Sequence, residues 1–73
     1  MRSREKFKEL AEKRVNKAID GIRLVGNLSN RNNYEYTSED AQKIVAAFER
    51  EVKELKSRFA ASDGRQAMHF SLQ

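Results

Sequence analysis

The stretch Ala41-Gln-Lys-Ile-Val-Ala-Ala-Phe-Glu-Arg-Glu-Val-Lys-Glu-Leu-Lys-Ser-Arg-Phe59 decides the fold of this chain. Its apolar residues recur at intervals of four and three, the heptad spacing that keeps one face of a helix apolar. This seam consists of Ala41, Val45, Phe48, Val52, Leu55 and Phe59. Opposite charges four positions apart, such as Glu49 and Lys53, indicate that the other faces are solvated. The stretch therefore predicts an amphipathic helix.

The residues on either side of the seam predict where this helix begins and ends. Thr37-Ser38 supplies a hydroxyl cap, and the carboxylates of Glu39 and Asp40 suit the positive end of a helix dipole. Ser62-Asp63-Gly64 has the composition of a terminator. We therefore expect a helix over about residues 38–61.

The N-terminal part of the chain carries a second apolar seam. Its members are Phe7, Ala11, Val15, Ala18, Ile22 and Val25. Ser3 is a suitable N-cap, although Lys6 stands where a capping box would need an acidic or amide side chain. Gly26-Asn27 predicts a stop, because both residues tolerate the left-handed conformation that ends many helices. We therefore expect a helix over about residues 4–26 and a loop over 27–37.

These two patterns predict an all-α fold, an antiparallel two-helix hairpin over residues 1–62 followed by a tail over 63–73. A two-helix hairpin covers only part of each apolar stripe, and a chain of 73 residues buries only about 60% of the surface that it would expose unfolded. The chain has no cysteine, so disulfides cannot compensate. We expect homo-oligomerisation, with a dimer favoured, to complete a helical bundle.

Composition argues against several classes of function. The single histidine and the absence of cysteine exclude metal sites built from imidazoles or thiolates. A single hairpin cannot enclose the roughly 300 Å³ that a small-molecule or cofactor pocket needs. Every apolar run is far shorter than the roughly 18 residues that would span a membrane. We therefore expect a cytoplasmic protein that is not an enzyme and takes no cofactor, metal, membrane or small-molecule substrate.

The connection between the helices, residues 27–36, is the most distinctive part of the sequence. Its four asparagines provide turn geometry through their own side-chain hydrogen bonds, which is the structural interpretation. The functional interpretation is a recognition tip, because tyrosine and arginine commonly anchor interfaces. The tip residues are Arg31, Asn32, Asn33 and Tyr34. The two interpretations are compatible.

A motif in this connection resembles a known group of proteins. Gly26-Asn-Leu-Ser-Asn30 followed by Asn33-Tyr34-x-Tyr36-Thr37 is similar to a loop of short, uncharacterised bacterial helical-hairpin proteins. The resemblance extends over most of the chain. It implies a phage- or plasmid-associated context, and it implies no activity.

The positive charge is concentrated in the first half of the chain. Residues 1–33 hold nine Lys/Arg against four Asp/Glu, whereas residues 34–73 hold six against seven. The cations of the first helix that could contact phosphates are Lys6, Lys13, Arg14, Lys17 and Arg23. They allow either a nucleic-acid-binding face or an ordinary solvated surface.

The tail returns to apolar residues after a polar break. Met68, Phe70 and Leu72 alternate with polar residues, which is compatible with a short strand, with docking on a partner, or with a flexible terminus. The leading hypothesis is a small interaction or regulatory protein that binds another macromolecule through the loop tip and the tail. The alternative is a nucleic-acid-binding hairpin dimer that uses the cations of the first helix.

Overall fold

The computed structural model describes residues 3–63, and it contains two α-helices. The first, α1, covers Arg4–Gly26, and the second, α2, covers Ser38–Asp63. A short 3-10 helix, Asn27–Ser29, follows α1 directly. No strand occurs among the described residues, so the predicted all-α fold class with two helices is confirmed. The chain divides into two units between Glu35 and Tyr36, and each is described by itself below.

The N-terminus of α1 is capped as the sequence predicts. The backbone of Ser3 is extended, and its side-chain hydroxyl accepts a hydrogen bond from the backbone N–H of Lys6 at 3.0 Å. The backbone N–H of Phe7 donates to the Ser3 carbonyl at 3.1 Å, which closes the first α-helical turn. The guanidinium of Arg4 lies 5.8 Å from the centre of the Phe7 ring, within the range of a cation–π contact.

The C-terminus of α1 lies at the predicted residue but has a different backbone conformation from the one expected. Gly26 and Asn27 both keep right-handed helical angles, with φ of −59° and −65°. The backbone N–H of Asn27 donates toward the carbonyl oxygens of Arg23 and Leu24, and the chain then tightens into the 3-10 turn. The helix therefore stops at Gly26 as predicted, but neither residue takes the left-handed conformation that was the reason for the prediction. The 3-10 turn provides hydrogen-bond donors to the last carbonyl groups of the helix instead.

The N-terminus of α2 is held by a reciprocal capping box. The Thr37 hydroxyl accepts a hydrogen bond from the backbone N–H of Asp40 at 3.0 Å, and an Asp40 carboxylate oxygen accepts from the backbone N–H of Thr37 at 2.9 Å. This pair satisfies two backbone donors that a helix start leaves free. The helix also includes Ser62 and Asp63, which the sequence places in a terminator. Serine and aspartate are only mildly unfavourable in helices, so they do not stop one that is already formed.

Candidate functional site

The apolar seam of α2 is exposed from Val45 to Phe59. Its large members lie on one face at heptad spacing, and each is at least 36% exposed. They are Val45, Phe48, Val52, Leu55 and Phe59, with Ile44 beside them. A continuous apolar face of this kind is typical of a surface that another element covers.

The seam of α1 is exposed as well, but it presents smaller side chains. Phe7, Val15 and Ile22 are between 47% and 54% exposed. The alanines Ala11 and Ala18 stand between them, and Ala11 is half-buried. Neither helix has a buried residue within the part of the chain that the structure describes. Each helix, taken by itself, therefore has a largely exposed apolar seam.

The loop tip is organised by Asn30, which lies just before the predicted recognition residues. Its side-chain Oδ1 accepts a hydrogen bond from the backbone N–H of Asn32 at 2.9 Å. Its carbonyl oxygen accepts from the backbone N–H groups of Asn33 and Tyr34 at 3.1 and 3.0 Å. These bonds are those of an asparagine turn, so the structural interpretation of this loop is confirmed for Asn30.

The four predicted recognition residues share this one turn and are all exposed. Tyr34 leaves 49% of its surface exposed. The backbone N–H groups of Asn32, Asn33 and Tyr34 are occupied by the turn, whereas the residues themselves are exposed. The turn therefore presents Arg31, Asn32, Asn33 and Tyr34 together on a short segment of defined conformation.

The structure brings together only some of the cations predicted on α1. Lys6, Lys13 and Lys17 are spaced by seven and four residues, which places them on one face of the helix over about 16 Å. Glu9 and Asp20 interrupt this face. Arg14 and Arg23 lie to either side of that face, because 100° of rotation per residue moves them away from it. All five are exposed, and within residues 3–63 none has a carboxylate within 4.0 Å.

The remaining predicted contacts, Met68, Phe70 and Leu72, lie outside the described residues. Sequence reasoning identified Thr37 as a cap but overlooked its reciprocal partner and the central role of Asn30. The signals were present: an acidic residue three positions after Thr37, and an asparagine two positions before Asn32.

The structure holds few features of a chemical site. Within residues 3–63 no group of three or more metal-ligating side chains comes together. A shallow, open depression on α2 is lined by Ala41, Gln42, Val45, Ala46 and Glu49, all from one helix. Neither helix is long and apolar enough to cross a membrane, as judged on the described residues.

Comparison of the chain with models of protein families, with curated proteins and with solved structures finds no match in any of the three. The resemblance of the loop motif to phage- or plasmid-associated hairpin proteins therefore stays a prediction.

Proposed function

We propose that this chain is a small, non-enzymatic interaction or regulatory protein that acts in the cytoplasm by binding another macromolecule. Its first partner is a second copy of itself, and a homodimer is the favoured assembly. The mobile-element context implied by the loop motif belongs to the same proposal.

The exposed apolar seams carry this proposal. The exposed large side chains of the two seams are between 36% and 56% exposed, although they follow the spacing of a core-facing helix. Fully burying an exposed side chain of this kind contributes roughly 1.5–3 kcal/mol, and covering the remaining exposed half contributes about half of that, so covering several at once favours association. A second copy supplies an apolar face of matching length and pitch.

Light scattering coupled to size-exclusion chromatography tests this proposal, with absorbance at 260 and 280 nm recorded on protein purified at low salt. We expect a homodimer without excess absorbance at 260 nm. A monomer at all concentrations up to the millimolar range would show that the seams need no second copy, and the proposal would fail.

The loop tip is the proposed contact for a protein partner other than a second copy. A tyrosine flanked by hydrogen-bonding side chains on a defined turn is a common anchor of interfaces. Tyr34→Ala should weaken binding of that partner, while Leu28→Ala serves as a matched control because Leu28 is similarly exposed, at 46%, but lies outside the tip. Equal losses in the two variants would argue against a specific role of the tip. Deletion of residues 65–73 tests the tail contacts in the same assay.

The alternative function is nucleic-acid binding by a dimer through α1. The observation in its favour is the face formed by Lys6, Lys13 and Lys17, which are exposed and unpaired among residues 3–63. A dimer doubles that face, and Arg14 and Arg23 extend it on both flanks. Phosphate contacts release counterions, so this binding would weaken steeply as salt rises.

A pair of charge-matched variants tests the alternative. Lys13→Glu with Lys17→Glu should abolish binding to a labelled RNA or DNA duplex at low salt. Lys43→Glu with Lys53→Glu changes the net charge equally on α2 and should leave most binding intact. If both double variants lose binding equally, the interaction depends on overall charge and the α1 face has no special role.

A further inference from the structure

The residues that flank the α2 seam indicate whether a second helix would pair with it in parallel or antiparallel orientation. With heptad positions written a to g, the seam places Val45, Val52 and Phe59 at a, and Ala41, Phe48 and Leu55 at d. The positions beside the seam are then e, with Gln42, Glu49 and Lys56, and g, with Ile44, Glu51 and Arg58. In a coiled coil these flanking residues face the partner helix and set its orientation.

The seam residues themselves favour a two-stranded assembly of parallel helices. β-branched residues at a combined with leucine at d are typical of parallel dimers. Val45 and Val52 provide the first feature and Leu55 the second. Ala41, Phe48 and Phe59 depart from this pattern, and the two phenylalanines add apolar area at the same seam.

A parallel pairing brings opposite charges together. In that orientation a g residue faces the e residue five positions later on the other helix. Glu51 of one copy therefore faces Lys56 of the second copy, and symmetry repeats the pair. The preceding pair places Ile44 opposite Glu49, so no like charges face each other there.

An antiparallel pairing brings like charges together. In that orientation e faces e and g faces g. Full overlap of two seams that span residues 41–59 places the symmetry axis at residue 50. Glu49 then lies opposite Glu49 of the second copy, and Glu51 lies opposite Glu51. Two like-charge contacts at the centre of the interface oppose this orientation.

We infer that α2 pairs in parallel with α2 of a second copy, in register, with Glu51 facing Lys56 across the interface. This inference rests on the self-association proposed above, and it adds the surface, the orientation and the residues that select it. Both side chains are exposed in the single chain and have no ion-pair partner among residues 3–63.

Single charge reversals test the pairing. Glu51→Lys and Lys56→Glu each place like charges across a parallel interface, so each should raise the dimer dissociation constant roughly fivefold to tenfold in sedimentation equilibrium. Mixed in equal amounts, the two variants should form a heterodimer about as strong as the unmodified dimer. Ser57→Glu adds charge on the outer face and should change little.

Effects within one helix cannot imitate this result. The neighbours four positions away are Ala47 and Leu55 for Glu51, and Val52 and Ala60 for Lys56, all uncharged. At three positions, each reversal creates an attractive pair, with Glu54 or with Lys53. Within one copy the reversals therefore favour the helix slightly, which is opposite to the predicted weakening.

Cysteine cross-linking tests the orientation directly, because the chain has no cysteine of its own. Ala41→Cys brings two thiols together in a parallel pair, since residues at d face each other there. In the antiparallel pair the same residues lie about 27 Å apart. Ser57→Cys on the outer face is the control, and it should not cross-link in either orientation.

The outcomes separate the orientation from the proposed function. A dimer that cross-links through Ala41→Cys, and whose charge variants restore each other, supports the inference. A dimer that does not cross-link, or that ignores both charge reversals, overturns the parallel pairing and leaves self-association standing. A monomer in light scattering overturns self-association and the pairing together.

Discussion

The two helices have apolar seams of similar length, but the side chains of the α2 seam are larger. On α1 the same heptad spacing puts Val15 at a, with Ala11 and Ala18 at d, and Val15 and Val52 are both 54% exposed. Around Val52 the seam continues with Phe48 and Leu55, whereas Val15 has alanines at the adjacent d positions. An equal exposed fraction therefore does not mean an equal contribution to association. The amount of apolar surface that surrounds a residue decides how much a partner gains by covering it.

The largest expected effect follows from placing a charge in each seam. Val52→Asp should raise the dimer dissociation constant at least 100-fold, because each copy loses a buried valine and gains a carboxylate at the centre of the interface. Val15→Asp should raise it by no more than about tenfold. Valine and aspartate have similar helix propensities, so the difference reports on the seams and not on helix formation. Sedimentation equilibrium measures both constants.

Equal weakening of the dimer by the two variants would contradict this prediction. If Val15→Asp weakens the dimer as much as Val52→Asp does, the two seams contribute alike and α2 has no leading role. Circular dichroism of both variants at high protein concentration checks that each remains helical.

The two helix N-termini offer a second comparison. Thr37 and Asp40 exchange two hydrogen bonds, whereas the Ser3 hydroxyl accepts one from Lys6. Thr37→Ala should therefore lower the free energy of unfolding by about 1–2 kcal/mol, and Ser3→Ala by about 0.5–1 kcal/mol. Urea titrations at one fixed protein concentration measure both, because dimer stability depends on concentration. Equal losses would mean that the acidic partner of the box adds nothing.

Glycine in α1 provides a smaller effect of opposite sign. Gly21 lies inside the helix and Gly26 at its end, and a Cβ added at either would meet no atom within 4 Å. Both lie in right-handed helix, so alanine fits without strain and restricts the unfolded chain. Each substitution should raise the free energy of unfolding by about 0.5–1 kcal/mol. A loss of stability in Gly21→Ala alone would reveal that a partner helix approaches closely at that face.

Periodicity was sufficient to predict the two helices and both N-caps. The seam from Ala41 to Phe59 repeats so regularly that no other secondary structure fits it. Thr37 and Ser3 precede these patterns at the position where a cap belongs. These signals are local, since they depend on neighbours within four residues.

The way α1 ends and the hydrogen bonding of the loop were harder to predict. Gly26-Asn27 permits a left-handed stop but does not require one, and the 3-10 turn competes with it at little cost. Four asparagines between residues 27 and 33 are equally able to form a turn by their composition. The backbone conformation of the loop determines that Asn30 is the asparagine that accepts these hydrogen bonds. The proposed second copy is a separate chain, so no pattern within four residues of one helix identifies it.

The smallest effect concerns that asparagine. Asn30→Ala removes the side-chain oxygen that accepts the Asn32 N–H but keeps the carbonyl that accepts from Asn33 and Tyr34. One exposed hydrogen bond contributes about 0.5 kcal/mol, so stability should fall only by that amount. Binding through the tip should fall further, because the turn that holds Tyr34 in place loosens. Asn27→Ala is the control, since Asn27 is an exposed asparagine outside the tip and the end of α1 uses only its backbone N–H. If Asn30→Ala lowers stability and leaves partner binding unchanged, the loop serves only to connect the two helices.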